Sequence, residues 1–289
     1  DFWMEIRKSK ARFISIFMIV ALGVAFFSGI QASSPDMRFS GDAYYDETNL
    51  MDIKVVGSMG LTEEDVAAIK QVDGVENAEG AYGTDVMCGE GEQQKVLHVE
   101  AVNQTMNRIS VTEGKAPEKS GEIFLDCFFA ESNGYEVGDQ ITLKEGGDSE
   151  LLKKTDYTVV GLGESPLYIS YNRGNSTLGS GEVNGFAYVL PEEFDQEVYT
   201  QIYVQAHGAQ DLISYTDAYD SLIERVQEQV EGIEAERCQV RYDEIVEEAN
   251  EKLADARQEL EDGKKEADEK LEDARQELED GEKKLQDGK

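Results

Sequence analysis

The feature that most constrains this chain is an uninterrupted apolar run, FISIFMIVALGVAFFSGIQA, from Phe13 to Ala32. It contains twenty residues and no charged side chain. At about 1.5 Å of rise per residue, a helix of this length spans about 30 Å, the thickness of the hydrocarbon core of a bilayer. We therefore predict a transmembrane helix over residues 13–32 that lies in the lipid bilayer.

The residues on either side of the run differ in charge. Those before it include Arg7, Lys8, Lys10 and Arg12, and those after it include Asp36, Asp42, Asp46 and Glu47. Because cytoplasmic flanks carry the excess of Lys and Arg, the N terminus is predicted to be cytoplasmic and the chain from Ser33 onward to be extracytoplasmic. Residues 1–12 then form a cytoplasmic interfacial segment in the cell membrane, anchored by Trp3 and the four basic residues.

A cleaved signal peptide is the alternative for the same region, since it also combines a basic start with an apolar run. The run is longer than a typical signal-peptide core, and cleavage after the small residues at 32–34 would place Pro35 directly after the cut. An uncleaved anchor is the preferred interpretation.

Small residues recur at four-residue spacing within the predicted span, at Ala21, Ala25 and Gly29. This spacing aligns them on one face, where the backbone of another transmembrane helix can approach closely. Since Ala and Gly are frequent in membrane helices, the triplet also has a purely compositional explanation. If the face is an interface, its partner is a further transmembrane helix of the same protein or of a second subunit.

The charge of the chain excludes one class of partner. The sequence holds 27 basic and 61 acidic residues in 289, a net charge of −34. Such a chain is not expected to bind nucleic acid.

The three cysteines, Cys88, Cys127 and Cys238, give no readable disulfide framework. One pair is compatible with the sequence, but the favoured interpretation is three isolated, mostly buried thiols.

Residues 33–242 are predicted to form an extracytoplasmic α+β domain with mixed or antiparallel strands. After a polar, turn-rich stretch over 33–50, strands are predicted at the following ranges: 51–56, 81–87, 95–102, 121–126, 140–143, 157–163, 186–190 and 198–206. Helices are predicted over 62–74, 127–132 and 211–230. The first begins at Thr62, which is predicted to form a capping box with Asp65, and ends at Gly74. An aperiodic loop of about twenty residues follows Gly163, and a last strand is predicted at 237–242.

From residue 243 to residue 289 the chain repeats itself, because KLADARQELEDG from Lys252 returns as KLEDARQELEDG from Lys270. An offset of eighteen residues is five helical turns, so equivalent side chains return to the same side of the helix. The apolar positions form one narrow seam, which includes Leu253, Leu260, Leu271, Leu278 and Leu285.

A seam this narrow is typical of a coiled-coil helix that needs a second helix beside it. We expect the natural protein to continue past Lys289 and supply a returning antiparallel helix. A solvated, partly disordered acidic segment is the alternative.

The sequence offers no constellation that predicts catalysis, and no metal or cofactor site is expected. His98 and His207 are far apart in sequence and are predicted to be surface residues, with no ligand-like spacing around them. Ser165 lacks the closing glycine of a nucleophile elbow. A phosphate-binding P-loop is absent from the sequence, so any ATP hydrolysis is expected in a partner and the chain itself is predicted not to be an enzyme.

The order of these parts resembles the FtsX-like, macrolide-exporter-like permeases of ABC transporters. The resemblance covers almost the whole chain and rests on RKSKARFISIFMIVALGVAFFSG, LTEEDVAAIKQVDGVENAEG, GEIFLD and GYEVGDQITL. It implies a first span, a large extracytoplasmic domain, and further spans downstream of this sequence. Some similar permeases carry long helical hairpins outside the membrane, which the repeats of this chain resemble.

The resemblance implies a mechanical function for the chain. A separate cytosolic ATP-binding subunit would hydrolyse ATP, and the chain would couple that step to movement of its extracytoplasmic domain, for export or mechanotransmission. The alternative is a bitopic surface protein that binds a partner or the cell wall through its outer domain and coiled coil.

Overall fold

The structure is a computed structural model that describes Met4, residues 9–89, Gly91, residues 94–146 and residues 151–288. The chain divides into two compact units between Gly232 and Ile233. Its helices and strands, in chain order, are α1 Lys10–Thr48, β1 Ile53–Leu61, α2 Glu63–Lys70, β2 Val75–Ala81, β3 Gly83–Cys88, β4 Lys95–Ala101, β5 Ser110–Gly114, β6 Glu122–Asp126, α3 Cys127–Asn133, β7 Gln140–Glu145, β8 Asp156–Glu164, β9 Gly185–Val189, β10 Tyr199–Ala206, α4 Asp217–Glu231 and α5 Glu234–Asp287.

Three strands form a small antiparallel sheet in the order β1, β10, β2. Helix α2 contacts β2, and helix α4 contacts β10. The capping box of α2 is confirmed, since the Thr62 side chain accepts from the Asp65 amide and the Asp65 carboxylate accepts from the Thr62 amide. Val66 and Val226 are buried on these helices and supply the apolar faces that hold them in the fold.

The remaining seven strands form a second sheet that closes on itself. Strands β3, β4, β9, β6, β8 and β7 pair in that order, and β7 pairs again with β3, which makes a six-stranded barrel. Strand β5 pairs with the C-terminal half of β8, beside the part that pairs with β7. Closure satisfies the strand edges of the barrel within the sheet.

The main apolar core fills this barrel. Its members alternate along the strands, as expected when one face of each strand points inward. They include Val86, Leu97, Val99, Ile123, Leu125, Ile141, Leu143, Tyr157, Val159, Ala187 and Val189. The inward positions predicted on β4, Leu97, Val99 and Ala101, are all buried.

Three sequence predictions about elements were wrong. Residues 33–48 are helical, not turn-rich, because α1 continues through Pro35. Residues 237–242 are part of α5, not a strand. The single strand predicted over 81–87 is the last residue of β2 followed by most of β3. In addition, strand β5 was not predicted. The other predicted strands are present with small changes at their ends.

Candidate functional site

The apolar part of α1 is open on all sides within the described chain. Its mean hydropathy over the most apolar window is 2.5, and none of that window is buried. The large side chains from Phe13 to Ile30 are between 45% and 73% exposed. Such a surface is stable in hydrocarbon but costly in water, so the helix has the length and composition to cross a membrane.

The predicted packing face on α1 is free of contacts from the rest of the described chain. A Cβ atom built on Gly29 would meet no atom within 4 Å. Ala25 is exposed and Ala21 is partly exposed. The face formed by Ala21, Ala25 and Gly29 therefore has room for a second helix, and its role in packing stays a prediction.

The predicted interfacial anchors are only partly within the described residues. Lys10 and Arg12 lie in the first turn of α1, where both are exposed. Trp3, Arg7 and Lys8 lie outside the described residues. Their anchoring role stays a prediction.

Helix α1 enters the α+β domain at its C-terminal end, where Asn49 caps it in the left-handed conformation. The loop between β4 and β5 holds this end on one side. The amide of Asn107 donates to the carbonyl oxygen of Asn49 over 2.9 Å, and the amide of Arg108 donates to that of Thr48 over 2.8 Å. The Arg108 guanidinium donates to the Glu47 carbonyl oxygen over 2.7 Å. These bonds satisfy carbonyl groups that a helix end leaves unpaired.

The end of β10 and the segment that follows it also hold this helix end. The amide of Ser214 donates to the Asp42 carboxylate over 2.7 Å, and the Tyr45 and Tyr215 hydroxyl groups are 3.3 Å apart. The side-chain amides of Gln205 and Gln210 both donate to Oδ1 of Asn49. We call the contacts of 42–49 with 105–108 and with 205–215 the helix joint.

A buried carboxylate, Glu100, links the two sheets. It is 2% exposed and accepts hydrogen bonds from the hydroxyl groups of Tyr168, over 2.8 Å, and Tyr203, over 3.2 Å. Burial and the Glu100 charge both raise the pKa of the Tyr203 hydroxyl far above its usual value, so it stays protonated and donates. Because Tyr203 lies on β10 and Glu100 on the barrel strand β4, this network holds the barrel against the three-stranded sheet.

His98 belongs to this network, which corrects its predicted place at the surface. Its Nδ1 atom is 2.6 Å from the Asp85 carboxylate, its Nε2 atom is 3.5 Å from Glu100, and only 26% of its side chain is exposed. The sequence did not reveal this because the outer face of β4 is covered by the loop after β8, whose Tyr168 lies beside the imidazole. His207 is at the surface as predicted, with 80% of its side chain exposed.

The long loop after β8 is fixed by one buried ion pair. The Arg173 side chain is 6% exposed, and it donates to both carboxylate oxygens of Asp126, over 2.8 and 3.1 Å. It also donates to the carbonyl oxygens of Tyr168 and Ser170, so one guanidinium satisfies two backbone acceptors of the loop as well as the carboxylate. Sequence reasoning did not single out Arg173 or Asp126, which lie 47 positions apart.

The arm helix α5, described by itself, carries the predicted seam as one exposed row. The exposed fraction of its leucines runs from 50% at Leu253 to 72% at Leu285. Each of four leucines is followed three positions later, on the same face, by Ala or Gly, at Ala256, Gly263, Ala274 and Gly281. Equivalent Glu-to-Lys pairs, Glu248 with Lys252 and Glu266 with Lys270, recur on the helix with the repeat. The seam thus combines a row of leucines with a row of small residues.

No arrangement for catalysis is visible in the parts of the chain that the structure describes. Within those parts, no group of three or more His, Cys, Asp or Glu side chains could hold a metal ion. The three cysteines are unpaired; Cys88 is buried, Cys127 is partly buried, and Cys238 is exposed, so the expectation of mostly buried thiols was wrong for Cys238.

The apolar helix and the α+β domain that it enters define a membrane protein with an extracytoplasmic domain. The family model of the MacB-like periplasmic core domain matches residues 13–263, and the chain belongs to this family. The predicted resemblance to FtsX-like and MacB-like ABC transporter permeases is thereby confirmed. No curated protein matches the chain.

Solved structures that resemble the chain include three with extracytoplasmic or permease domains. One is the extracellular domain of the noncanonic ABC-type transporter YknZ from Gram-positive bacteria, at 16% identity and a TM-score of 0.32, covering 60% of this chain and 87% of that one. Another is the periplasmic region of MacB from Actinobacillus actinomycetemcomitans, at 10% identity and a TM-score of 0.33, covering 61% and 76%. The third is a domain of a putative permease protein from Porphyromonas gingivalis, at 13% identity and a TM-score of 0.31, covering 59% and 78%.

Proposed function

We propose that the chain is the permease subunit of an ABC transporter complex, and that it couples ATP hydrolysis by a separate cytosolic subunit to movement of its extracytoplasmic domain. The observation that carries the proposal is the helix joint. Helix α1 runs without a break from Lys10 to Thr48, and its last two turns are hydrogen-bonded to two different segments of the domain. A displacement of the span therefore moves the domain with it.

The direction of this coupling follows from the charges around the span. In the proposal, the cations before Phe13 face the cytosol, and the domain after Ala32 faces outward. The ATP-binding subunit then lies on the side of Lys10 and Arg12. Export and mechanotransmission are both compatible with this arrangement, and the substrate is left open.

We propose that further transmembrane helices, from this permease or a second chain, pack on the face of Ala21, Ala25 and Gly29. Replacing Gly29 by Leu should reduce assembly or ATPase coupling, because the larger side chain prevents close approach of a second backbone. Gly23 provides the matched control. It lies on nearly the opposite side of α1, and a Cβ atom built there also meets nothing within 4 Å. Equal effects of Gly23→Leu and Gly29→Leu would contradict this face as the interface.

We also propose that the seam of α5 packs against a second helix. The row of Ala and Gly beside the leucines allows that helix to approach closely, which supports an antiparallel partner with leucines of its own. Gly263→Ala should strengthen α5, by about 1 kcal/mol on intrinsic propensity, and leave docking intact. Gly263→Leu should keep the helix but weaken docking. Cysteine cross-linking along the seam of the native protein measures both.

The class of the protein is tested by purifying the native full-length chain from membranes in mild detergent and assaying ATP turnover. A stoichiometric cytosolic ATPase in the preparation is the expected result. If the chain is recovered alone and the preparation has no ATPase activity, the proposal is wrong, and the bitopic surface protein is the better interpretation.

A further inference from the structure

The exposed seam of α5 has an internal symmetry that restricts what can cover it. Along the helix, leucines alternate with small residues at spacings of three and four positions, which keeps them on one face. At equal distances on the two sides of Ala267, a leucine on one side is matched by Ala or Gly on the other. The matched pairs are Gly263 with Leu271, Leu260 with Ala274, Ala256 with Leu278, Leu253 with Gly281, and Ala249 with Leu285.

This symmetry favours an antiparallel neighbour over a parallel one. In an antiparallel pair of helices with this pattern, each leucine faces a small residue of the other helix, so a large and a small side chain fill every layer together. In a parallel pair in register, leucine would face leucine and glycine would face glycine, which leaves gaps in the interface. The structure has space for opposing leucines, because a Cβ atom built on Gly263 or on Gly281 meets no atom within 4 Å.

The charges beside the seam disfavour a second copy of the same arm. In an antiparallel pair, the charged positions along one edge of the seam face the same edge of the partner, and these contacts set which partner is chosen. With two copies centred on Ala267, like charges meet at three kinds of contact, which are Arg257 with Arg275, Glu259 with Glu277, and Lys252 with Lys284. Opposite charges meet at two, which are Lys264 with Asp268 and Glu266 with Lys270. Repulsive contacts therefore outnumber attractive ones.

The two arginines of this edge are available to a partner. Arg257 and Arg275 lie four positions after Leu253 and Leu271, so each stands beside a leucine of the seam. Neither arginine forms an ion pair with another of the described residues of α5, whereas Lys270 is paired with Glu266 over 2.6 Å within the helix. A partner with carboxylates opposite the arginines would therefore gain attraction without breaking an existing pair.

We propose that the seam is covered by a helix of a different sequence, which runs antiparallel to α5 and places small residues opposite the leucines and carboxylates opposite Arg257 and Arg275. The same helix carries basic residues opposite Glu259 and Glu277. This inference rests on the proposed packing of the seam and specifies the chemistry of the partner. It does not depend on the ATPase subunit.

The test is calorimetric titration of the full chain in detergent with three synthetic peptides. The first copies residues 249–285. The second, the edge-reversed peptide, is the same copy with the edge charges exchanged by K252E, R257E, E259K, R275E, E277K and K284E. The third carries K265E and K283E, which lie on the side of the helix away from the seam and give it the same net charge as the second.

We expect the edge-reversed peptide to bind saturably and at least tenfold more tightly than either of the other two, because every edge contact with α5 is then attractive. The difference should shrink in 1 M salt, which screens exposed charges. Since the changes are made in the peptides, the fold of the chain is the same in all three titrations.

A pair of cysteines measures the orientation, with Cys238→Ser in the chain as background. Glu282→Cys in the chain should form a disulfide with an edge-reversed peptide that carries Asn250→Cys, because these two positions face each other in the antiparallel pair. Asn250→Cys in the chain should not react with that peptide. A preference for this second combination would refute the antiparallel orientation.

The remaining outcomes overturn the proposal at different levels. If the unmodified copy binds as tightly as the edge-reversed peptide, the partner is a second copy of this arm and only the inference of a different helix is wrong. Equal affinity for the two more acidic peptides would refute the charge contacts at the edge of the seam. If no peptide binds saturably up to 1 mM, the proposed packing of the seam fails as well.

Discussion

The hydroxyl of Tyr219 donates a hydrogen bond to Oδ1 of Asp52 over 2.7 Å, across 167 positions of sequence. The other carboxylate oxygen of Asp52 accepts from the amide of Ala206 over 2.8 Å. One side chain just after α1 is therefore bonded to the last residue of β10 and to helix α4. Asp52 and Tyr219 connect the entry of the chain into the domain with its exit toward α4.

Replacing Tyr219 by Phe should destabilise the domain. The change removes one donor from a partly buried carboxylate and leaves the ring in place, so we expect a loss of about 1–3 kcal/mol in the free energy of unfolding. Thermal unfolding of the full chain in detergent measures it. Tyr171→Phe is the control. Because Tyr171 is 86% exposed, loss of its hydroxyl group should leave the melting temperature unchanged.

Replacing Asp52 by Asn should remove a pH dependence. Burial raises the pKa of Asp52 above its ordinary value of 3.8, so the native state binds the proton more readily than the unfolded state. The stability contributed by this group is fully present below the unfolded pKa and is lost as pH rises through the folded pKa. Asn keeps an acceptor oxygen without a charge.

The melting temperature of the wild type, relative to that of Asp52→Asn, should therefore fall as pH rises from 3.8 toward neutrality. Asp211→Asn, at an exposed position, should show no such difference from wild type. A wild-type curve parallel to that of Asp52→Asn across this range would contradict the raised pKa.

Replacing Arg173 by Met should unfold the long loop and weaken the barrel. The substitution leaves the Asp126 carboxylate, which is 1% exposed, without its counter-charge, at a cost of about 3–5 kcal/mol. The double variant Arg173→Met with Asp126→Asn should recover part of this loss, because no charge is then left buried. Limited proteolysis within residues 164–184 measures the unfolding of the loop, and thermal unfolding measures the loss of stability. Arg257→Met, at an exposed position of α5, is the control.

The three thiols should differ in reactivity toward a maleimide. Burial raises the pKa of Cys88 to about 11, and its side chain is enclosed in the barrel core, so it should react only after unfolding. Cys238 is exposed and should react first, and Cys127 should be intermediate. Mass spectrometry of labelled peptides gives the order. Rapid labelling of Cys88 in the native protein would show that the barrel opens.

Much of the fold could be predicted because its signals are local. Strand β4 alternates apolar and polar residues, α2 carries its capping box, and the arm repeats its leucines. Strand β5, SVTEG, lacks an apolar face because it lies at the margin of the barrel, where its side chains are mostly exposed. Closure of the barrel depends on pairing between distant strands, which no local pattern reveals.

The extension of α1 and the start of α5 were missed for a different reason. Pro35 and the polar residues after it favour a turn on propensity, but the helix joint holds residues 42–48 in the helix. The alternation in residues 237–242 resembles a strand, although the same residues continue the helical spacing of the arm. The Glu100 network was missed because both faces of β4 are covered.

The eighteen-residue repeat has a consequence for how the length of the arm can vary. One repeat adds about 27 Å of helix and no net rotation, since eighteen residues complete five turns. A gain or loss of one repeat, such as that from Lys252 to Glu269, therefore changes the reach of α5 and keeps Leu253 and Leu271 in line with the leucines beyond them. Variants of this protein with one repeat more or fewer would therefore differ in the length of α5 by about 27 Å and present the seam on the same side of the helix.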